Sequence, residues 1–277
     1  IVSGVSGDRV WFGANEDYYF RADTRMEVFS NNGDQHGVVI FSYRDGFPQA
    51  GINEKGLSFD ANALASSALP ESEEWQSRRD LPEGVDPVVK ALMTYATVPE
   101  VIAYIEQYKI PVLSSAQIHF ADAKGNLAVY SNDGICYKKR VHISTNFRVC
   151  TKDVSKAIKS SKGEYWRYPI AEDILGKGRV SFEKVKRALV ETTQTNDVST
   201  LYSFVVDLKT TDFTLYYGAD FDGGVVMNAQ ALIAKGRQSF LMRDLFPDSH
   251  LAAFWDLYEA EGPLGAISYL KAQENNV

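Results

Sequence analysis

The chain of 277 residues predicts an α+β fold in which antiparallel β-meanders are covered by layers of helices. Two observations predict it. Elements follow one another in the order β, α, β, α, β, with short strand-like runs joined by tight turns. Neither a GxGxxG nor a GxxxxGK[ST] segment opens a helix, which removes the usual mark of a doubly wound nucleotide fold. A composition of 45% hydrophobic and 23% charged residues is that of a globular chain with a large core, and one domain over 1–277 is expected.

Strands are expected at Ile1 to Val5 and Arg9 to Asn15 around a Ser-Gly-Asp turn, then at Gly37 to Arg44 and Gly56 to Ala61. Ser66 to Pro87 carries three prolines and many charges without apolar periodicity, so it reads as a long surface loop. A helix follows from about Asp86 to Tyr95. A second begins at Thr97, where Thr97 and Glu100 have the spacing of a capping box and Pro99 lies in the first turn. Val101, Ile102, Ile105 and Tyr108 would form its buried face.

Ala116 to Ala121, Asn126 to Ser131 and Lys139 to Thr145 then alternate like strands of a meander. Helices are expected again at about Gly163 to Leu175, closed by Gly176, and at Phe182 to Thr193 after Ser181. Strands return at Tyr202 to Leu208 and Phe213 to Tyr217, and the tail, about 238–277, reads as helical.

A formal net charge of -7, spread along the chain, argues against a nucleic-acid partner, which needs a basic face. No apolar run approaches the roughly 20 residues of a membrane span. Cys136 and Cys150 have no CxxC or His-rich neighbour, and His36, His119, His142 and His250 are scattered, so no metal is expected. The two cysteines read as buried thiols, with a disulfide as the alternative. The chain opens on Ile1 without an initiator Met, which suggests an upstream segment such as a signal peptide or propeptide and leans towards a secreted or periplasmic protein.

Four polar segments interrupt strand-like or turn-like sequence: Gly13-Ala14-Asn15-Glu16-Asp17-Tyr18; Gly51-Ile52-Asn53-Glu54-Lys55-Gly56-Leu57 followed by Asp60 and Asn62; Ser144-Thr145-Asn146-Phe147; and Glu164-Tyr165-Trp166-Arg167-Tyr168. In this order and at these separations they resemble the choloylglycine hydrolase family of N-terminal nucleophile enzymes, which includes bile salt hydrolases and penicillin V acylases. Gln117 to Asp122 and Tyr202 to Leu208 match less specific strand patterns of that family, so the resemblance covers most of the chain.

The resemblance implies a four-layer αββα sandwich, hydrolysis of a linear carbon-nitrogen amide through an N-terminal Cys thioester, no cofactor, a small acyl amide as substrate and a homo-oligomer. It places Asp17 beside the nucleophile's amino group, Asn146 in the oxyanion hole, Arg167 as the orienting cation, and Asn62 at the second oxyanion position, for which Asp60 competes. Asn15, Tyr18, Phe20 and Asp60 are the substrate-binding candidates. The family's spacing puts the nucleophile roughly two or three residues ahead of Ile1. Ala14 stands where bile salt hydrolases carry an Arg, which favours a different acyl amide.

Elementary chemistry supports such a site. An N-terminal Cys can use its own α-amino group, with an ordinary pKa near ~8, to take the thiol proton. A carboxylate such as Asp17 would hold that amine, and a side-chain amide such as Asn146 would meet the developing oxyanion, each donor being worth about 3 kcal/mol. Other readings stay open at this point: a solvated turn for Asn15 and Asp17, a strand-end cap for Asn146, a surface ion pair for Arg167. For the whole chain, acyl transfer to an amine and a catalytically inactive binding protein are the alternatives. Asn53, Glu54 and Lys55 are expected to be turn residues.

Overall fold

The computed structural model describes residues 1–19, 23–43, 46–195 and 198–274. The hairpin β1 (Val2–Ser6) and β2 (Arg9–Tyr19) is followed by β3 (Thr24–Phe29), β4 (Val38–Tyr43), β5 (Pro48–Asn53) and β6 (Ser58–Ala63). Three helices, α1 (Glu73–Ser77), α2 (Pro87–Thr94) and α3 (Val98–Ile105), precede β7 (Ala116–Ala121), β8 (Leu127–Ser131), β9 (Gly134–Lys138) and β10 (Val141–Ile143). Next come α4 (Val154–Ser160), α5 (Arg167–Leu175) and α6 (Phe182–Glu191), then β11 (Val198–Asp207), β12 (Asp212–Tyr217) and β13 (Asp220–Asn228). The chain closes with α7 (Ala229–Ala234), β14 (Gln238–Leu241) and α8 (His250–Glu274).

Two antiparallel sheets result, one in the order β10-β1-β2-β11-β12-β13 and the other β14-β3-β4-β5-β6-β7-β8-β9. Phe12, Phe41, Phe204 and Phe213 pack between them, with the Phe41 and Phe204 rings 4.9 Å apart. On the outer face of the larger sheet, Val88, Leu92, Val101 and Ile105 of α2 and α3 cover Phe59 and Phe120. On that of the smaller, Leu175, Val185 and Leu189 of α5 and α6 cover Val2 and Val205. This is the four-layer αββα sandwich. β4, buried on both faces, is apolar on both, with Val39 and Phe41 towards the inter-sheet core and Val38 and Ile40 towards the helices, as its place between layers requires.

Several elements differ from the sequence expectation for physical reasons. β2 runs on through Asn15, Glu16 and Asp17 to Tyr19 because β11 supplies the ladder, with Tyr202 opposite Glu16 and Thr200 opposite Asp17. α5 starts at Arg167 instead of Gly163, since Lys162 and Gly163 both adopt positive φ, which ends a right-handed helix. β3, β5, β9 and β13 were not anticipated, and Gln238–Leu241 forms a strand on β3 where a helical tail was expected. The capping box is only half made: the Glu100 carboxylate accepts from the Thr97 hydroxyl and the Ala96 N–H, while Asp122 takes the Val98 N–H. Cys136 and Cys150 are joined in a disulfide, not buried thiols. The β8–β9 hairpin brings Cys136 opposite Val129, whose carbonyl lies against Cys150, a proximity that their spacing in sequence does not reveal.

The Asn53-Glu54-Lys55-Gly56 turn is structural, as expected. Asn53 is fully buried; its amide donates to the Leu92 and Tyr95 carbonyls, closing α2, and its oxygen accepts the Lys55 and Leu57 N–H groups. Gly56 is obligatory, because it sits at φ +78° and a Cβ there would lie 1.9 Å from the Leu208 carbonyl oxygen. Asn53→Ala strands several buried backbone groups and is expected to lower unfolding free energy by roughly 3 kcal/mol or more, read from urea denaturation.

Buried His119 and His142 pack ring against ring between β7 and β10, and burial pushes both below the ordinary histidine value, His142 to about 4. Each binds its proton more weakly folded than unfolded, so each costs stability as pH falls below the unfolded value and His142 stops doing so near 4. Between about pH 6.5 and 4, wild type should therefore lose stability faster than His142→Gln, by up to about 1.4 kcal/mol per pH unit. Parallel urea-denaturation curves for the two proteins across that range would contradict this.

Candidate active site

Residues of the four polar segments, Asn15 to Tyr18, Asn62, Asn146 and Arg167, meet around a cleft of about 460 Å³, while the Asn53-Glu54-Lys55-Gly56 turn is not part of its lining. Ile1, Asn15, Glu16, Asp17, Tyr18, Asn62, Asn146 and Arg167 line the cleft, together with Tyr43, Phe47 and Gln49. Phe20 lies outside the described residues. Tyr18 packs against Tyr43 with ring centroids 4.5 Å apart and the planes tilted by 40°, and it stays partly exposed, so an apolar group entering the cleft meets aromatic surface.

Alternation along β2 explains how its residues divide. Phe12 and Ala14 point into the inter-sheet core, and Glu16 follows on that face; Gly13, Asn15 and Asp17 point towards the helices. Gly13 lets α6 approach, since a Cβ there would lie 2.6 Å from Val185. Asn15 then uses its amide to lock β2 to its neighbours: Nδ2 donates to the Leu189 carbonyl at 2.9 Å and Oδ1 accepts from the Ser203 hydroxyl at 2.7 Å.

Among the described residues, Asp17 collects three donors. Arg167 Nη1 lies 2.5 Å from its Oδ2, Gln194 Nε2 2.7 Å from the same oxygen, and the Thr200 hydroxyl 2.5 Å from Oδ1. The second arm of the Arg167 fork, Nη2, donates to Asn146 Oδ1, so one guanidinium bridges the two candidates. Asn146 turns its Nδ2 towards the Ala63 carbonyl at 2.9 Å, leaving one further N–H on that nitrogen.

The Asn146 turn is held from beneath. Gln117, wholly buried on β7, donates to the Thr145 and Phe147 carbonyls at 2.7 and 2.8 Å, one on each side of Asn146. Phe147 stacks on Tyr165 at 4.4 Å, tying the turn to the segment that leads into Arg167. Ile1 and Ser144 exchange backbone hydrogen bonds, both 3.0 Å, so the start of β1 enters the cleft beside that turn. His119 bridges the Ser3 and Ser144 hydroxyls at 2.7 and 2.9 Å.

Two carboxyl groups sit deeper. Glu16 accepts from the Tyr43 hydroxyl at 2.6 Å, and burial, with Asp60 nearby, pushes it well above the ordinary carboxylate value. Asp60 is raised by burial too, to about 8. Asp60 and Asn62 share the inner face of β6, and Asp60 Oδ2 and Asn62 Oδ1 are buried without a hydrogen-bond partner among the described residues.

Asp17, Asn62, Asn146, Arg167, Asn15 and Tyr18 thus line one cleft, with Asp60 behind it. Sequence reasoning missed Gln194, Thr200, Gln117 and Glu16. The first three depend on pairings far apart in the chain, Thr200 with Asp17 across 183 residues. Glu16 was readable, because period-two alternation from Phe12 already puts it on the inner face.

No protein-family model matches the chain, and no curated protein sequence does. Among solved structures it is similar to penicillin V acylase from Agrobacterium tumefaciens, with a TM-score of 0.57 at 16% identity, covering 87% of this chain and 98% of that one. It is also similar to a mutant conjugated bile acid hydrolase from Clostridium perfringens, with a TM-score of 0.56 at 13% identity, covering 87% and 96%. The chain has the αββα fold of the N-terminal nucleophile hydrolases.

Proposed function

We propose that this chain hydrolyses linear amides through a Cys that precedes Ile1 and carries the free α-amine of the mature protein. The observation that carries the reading is the chain of contacts from Asp17 through Arg167 to Asn146, closing around the point where β1 enters the cleft. The α-amine takes the thiol proton, and the thiolate attacks the amide carbonyl. Asn146 and Asn62 donate to the oxygen of the tetrahedral intermediate, and Arg167 fixes Asn146 in place. The ammonium protonates the leaving nitrogen, which departs as an amine and leaves a thioester. Water, deprotonated by the same α-amine, then releases the acid and restores the thiol.

The fold shared with a penicillin acylase and a bile acid hydrolase supports this class of reaction, and the aromatic lining of Tyr18, Tyr43 and Phe47 supports an apolar acyl group. The test is a panel of chromogenic acyl anilides, with intact-mass analysis of quenched reactions. The expected result is amine release together with one acyl group on the N-terminal residue. An unmodified N-terminal residue throughout turnover, or no turnover across the panel, would contradict the reading.

A further inference from the structure

Two wholly buried polar side chains on β7, Gln117 and His119, take no part in the proposed chemistry. They lie two residues apart on one strand and so share a face, and both reach the turn that carries Asn146. Gln117 Nε2 donates to the carbonyls of Thr145 and Phe147, the residues on either side of Asn146, and its Oε1 accepts the Val149 N–H at 3.3 Å. A side-chain amide has two N–H groups, and here both are committed to the one turn.

His119 reaches the same turn from its other end. Burial pushes its imidazole well below the ordinary histidine value, so the ring is neutral and offers one N–H and one lone pair. Nδ1 lies 2.9 Å from Ser144 Oγ and Nε2 2.7 Å from Ser3 Oγ, so one ring ties β7 of the larger sheet to β1 and to the end of β10 in the smaller. Ser144 stands two residues ahead of Asn146, and its N–H donates to the Ile1 carbonyl at 3.0 Å. The ring is itself held, edge-on against Phe12 at 5.5 Å and against His142 at 5.0 Å. Apolar residues of like volume would fill the core at these two positions without burying polar atoms. What the amide and the imidazole add is direction, because hydrogen bonds depend on angle and apolar packing does not.

We propose that Gln117 and His119 are positioning residues for amide hydrolysis, which together set where the Asn146 side chain meets the oxygen of the tetrahedral intermediate. This inference rests on the amidohydrolase reading of the cleft. Neither side chain is part of the cleft lining, so neither touches substrate, and both act through the turn above them. A misplacement of about 1 Å at a reacting centre is enough to cost roughly 10²-fold in rate.

The experiment measures kcat and KM on a cleaved acyl anilide for Gln117→Met, His119→Gln, His119→Asn and Ser144→Ala in the mature protein, each alone and combined with Asn146→Ala, with a thermal melt of every variant. Gln117→Met should lower kcat by about 10²-fold at nearly unchanged KM. An asparagine amide can stand in for Nδ1 and a glutamine amide for Nε2. His119→Asn, which keeps a partner for Ser144, should therefore retain about tenfold more kcat than His119→Gln, the worth of one hydrogen bond. In the Asn146→Ala background the same changes should cost almost nothing further, because residues that act through one group are not additive. Losses that multiply in the double variants, or wild-type kcat in a Gln117→Met protein that melts like wild type, overturn the assignment. Should the Gln117 and His119 variants fail to melt cooperatively, Ser144→Ala decides: a kcat loss of about tenfold that vanishes in the Asn146→Ala background supports the proposal, and an equal loss in both backgrounds overturns it. A wild type that turns over no anilide contradicts the amidohydrolase reading itself, a result separable from the others.

Discussion

Asn146→Ala is expected to lower kcat on any acyl amide the protein cleaves by about 10²–10³-fold, the usual cost of one oxyanion donor. The same change should barely alter stability. Asn146 is exposed, and its contacts are one donation to the Ala63 carbonyl and one acceptance from Arg167, while Gln117 holds the flanking carbonyls without it. A melting temperature within a few degrees of wild type therefore separates lost chemistry from lost structure. KM should change much less than kcat, because a donor aimed at the intermediate's oxygen is not needed to bind the ground state. Equal losses in kcat and in affinity would place Asn146 in substrate binding instead.

Arg167→Lys is expected to reduce kcat/KM by at least about 10²-fold, although charge is conserved. The guanidinium uses its two terminal nitrogens on two different residues, Asp17 and Asn146, and a single ammonium cannot span both. Its side chain and that of Asp17 are 17% and 13% exposed, so the pair is mostly shielded, and Arg167→Ala would leave Asp17, among the described residues, with Gln194 and Thr200. Alanine should thus cost stability as well as turnover, and lysine chiefly turnover. Steady-state kinetics with parallel thermal melts distinguish the two variants. Full activity in Arg167→Lys would reduce this residue to a surface ion pair.

Much of this was legible in the sequence where local pattern carries it. Strand alternation and turn chemistry located β1, β7 and β12, and the Asn53-Glu54-Lys55-Gly56 turn is held by the short-range side-chain bonds its residues suggest. Polar residues inside β2 obscured its full length, because Asn15 and Asp17 face a helix layer and not water. The Asp17 cradle was out of reach for the same reason: Gln194 and Thr200 arrive by pairing of β11 on β2, which no local window contains. The disulfide was misjudged because it depends on how β9 meets the segment after Asn146.

The most direct test of the account is N-terminal sequencing and intact mass of the mature protein, combined with a thiol-reactive probe. The account predicts a free N-terminal Cys just ahead of Ile1 that takes up one equivalent of label, since Cys136 and Cys150 are joined to each other. A mature chain that begins at Ile1, or whose first residue is neither Cys, Ser nor Thr, would contradict it and leave a binding protein on a hydrolase scaffold.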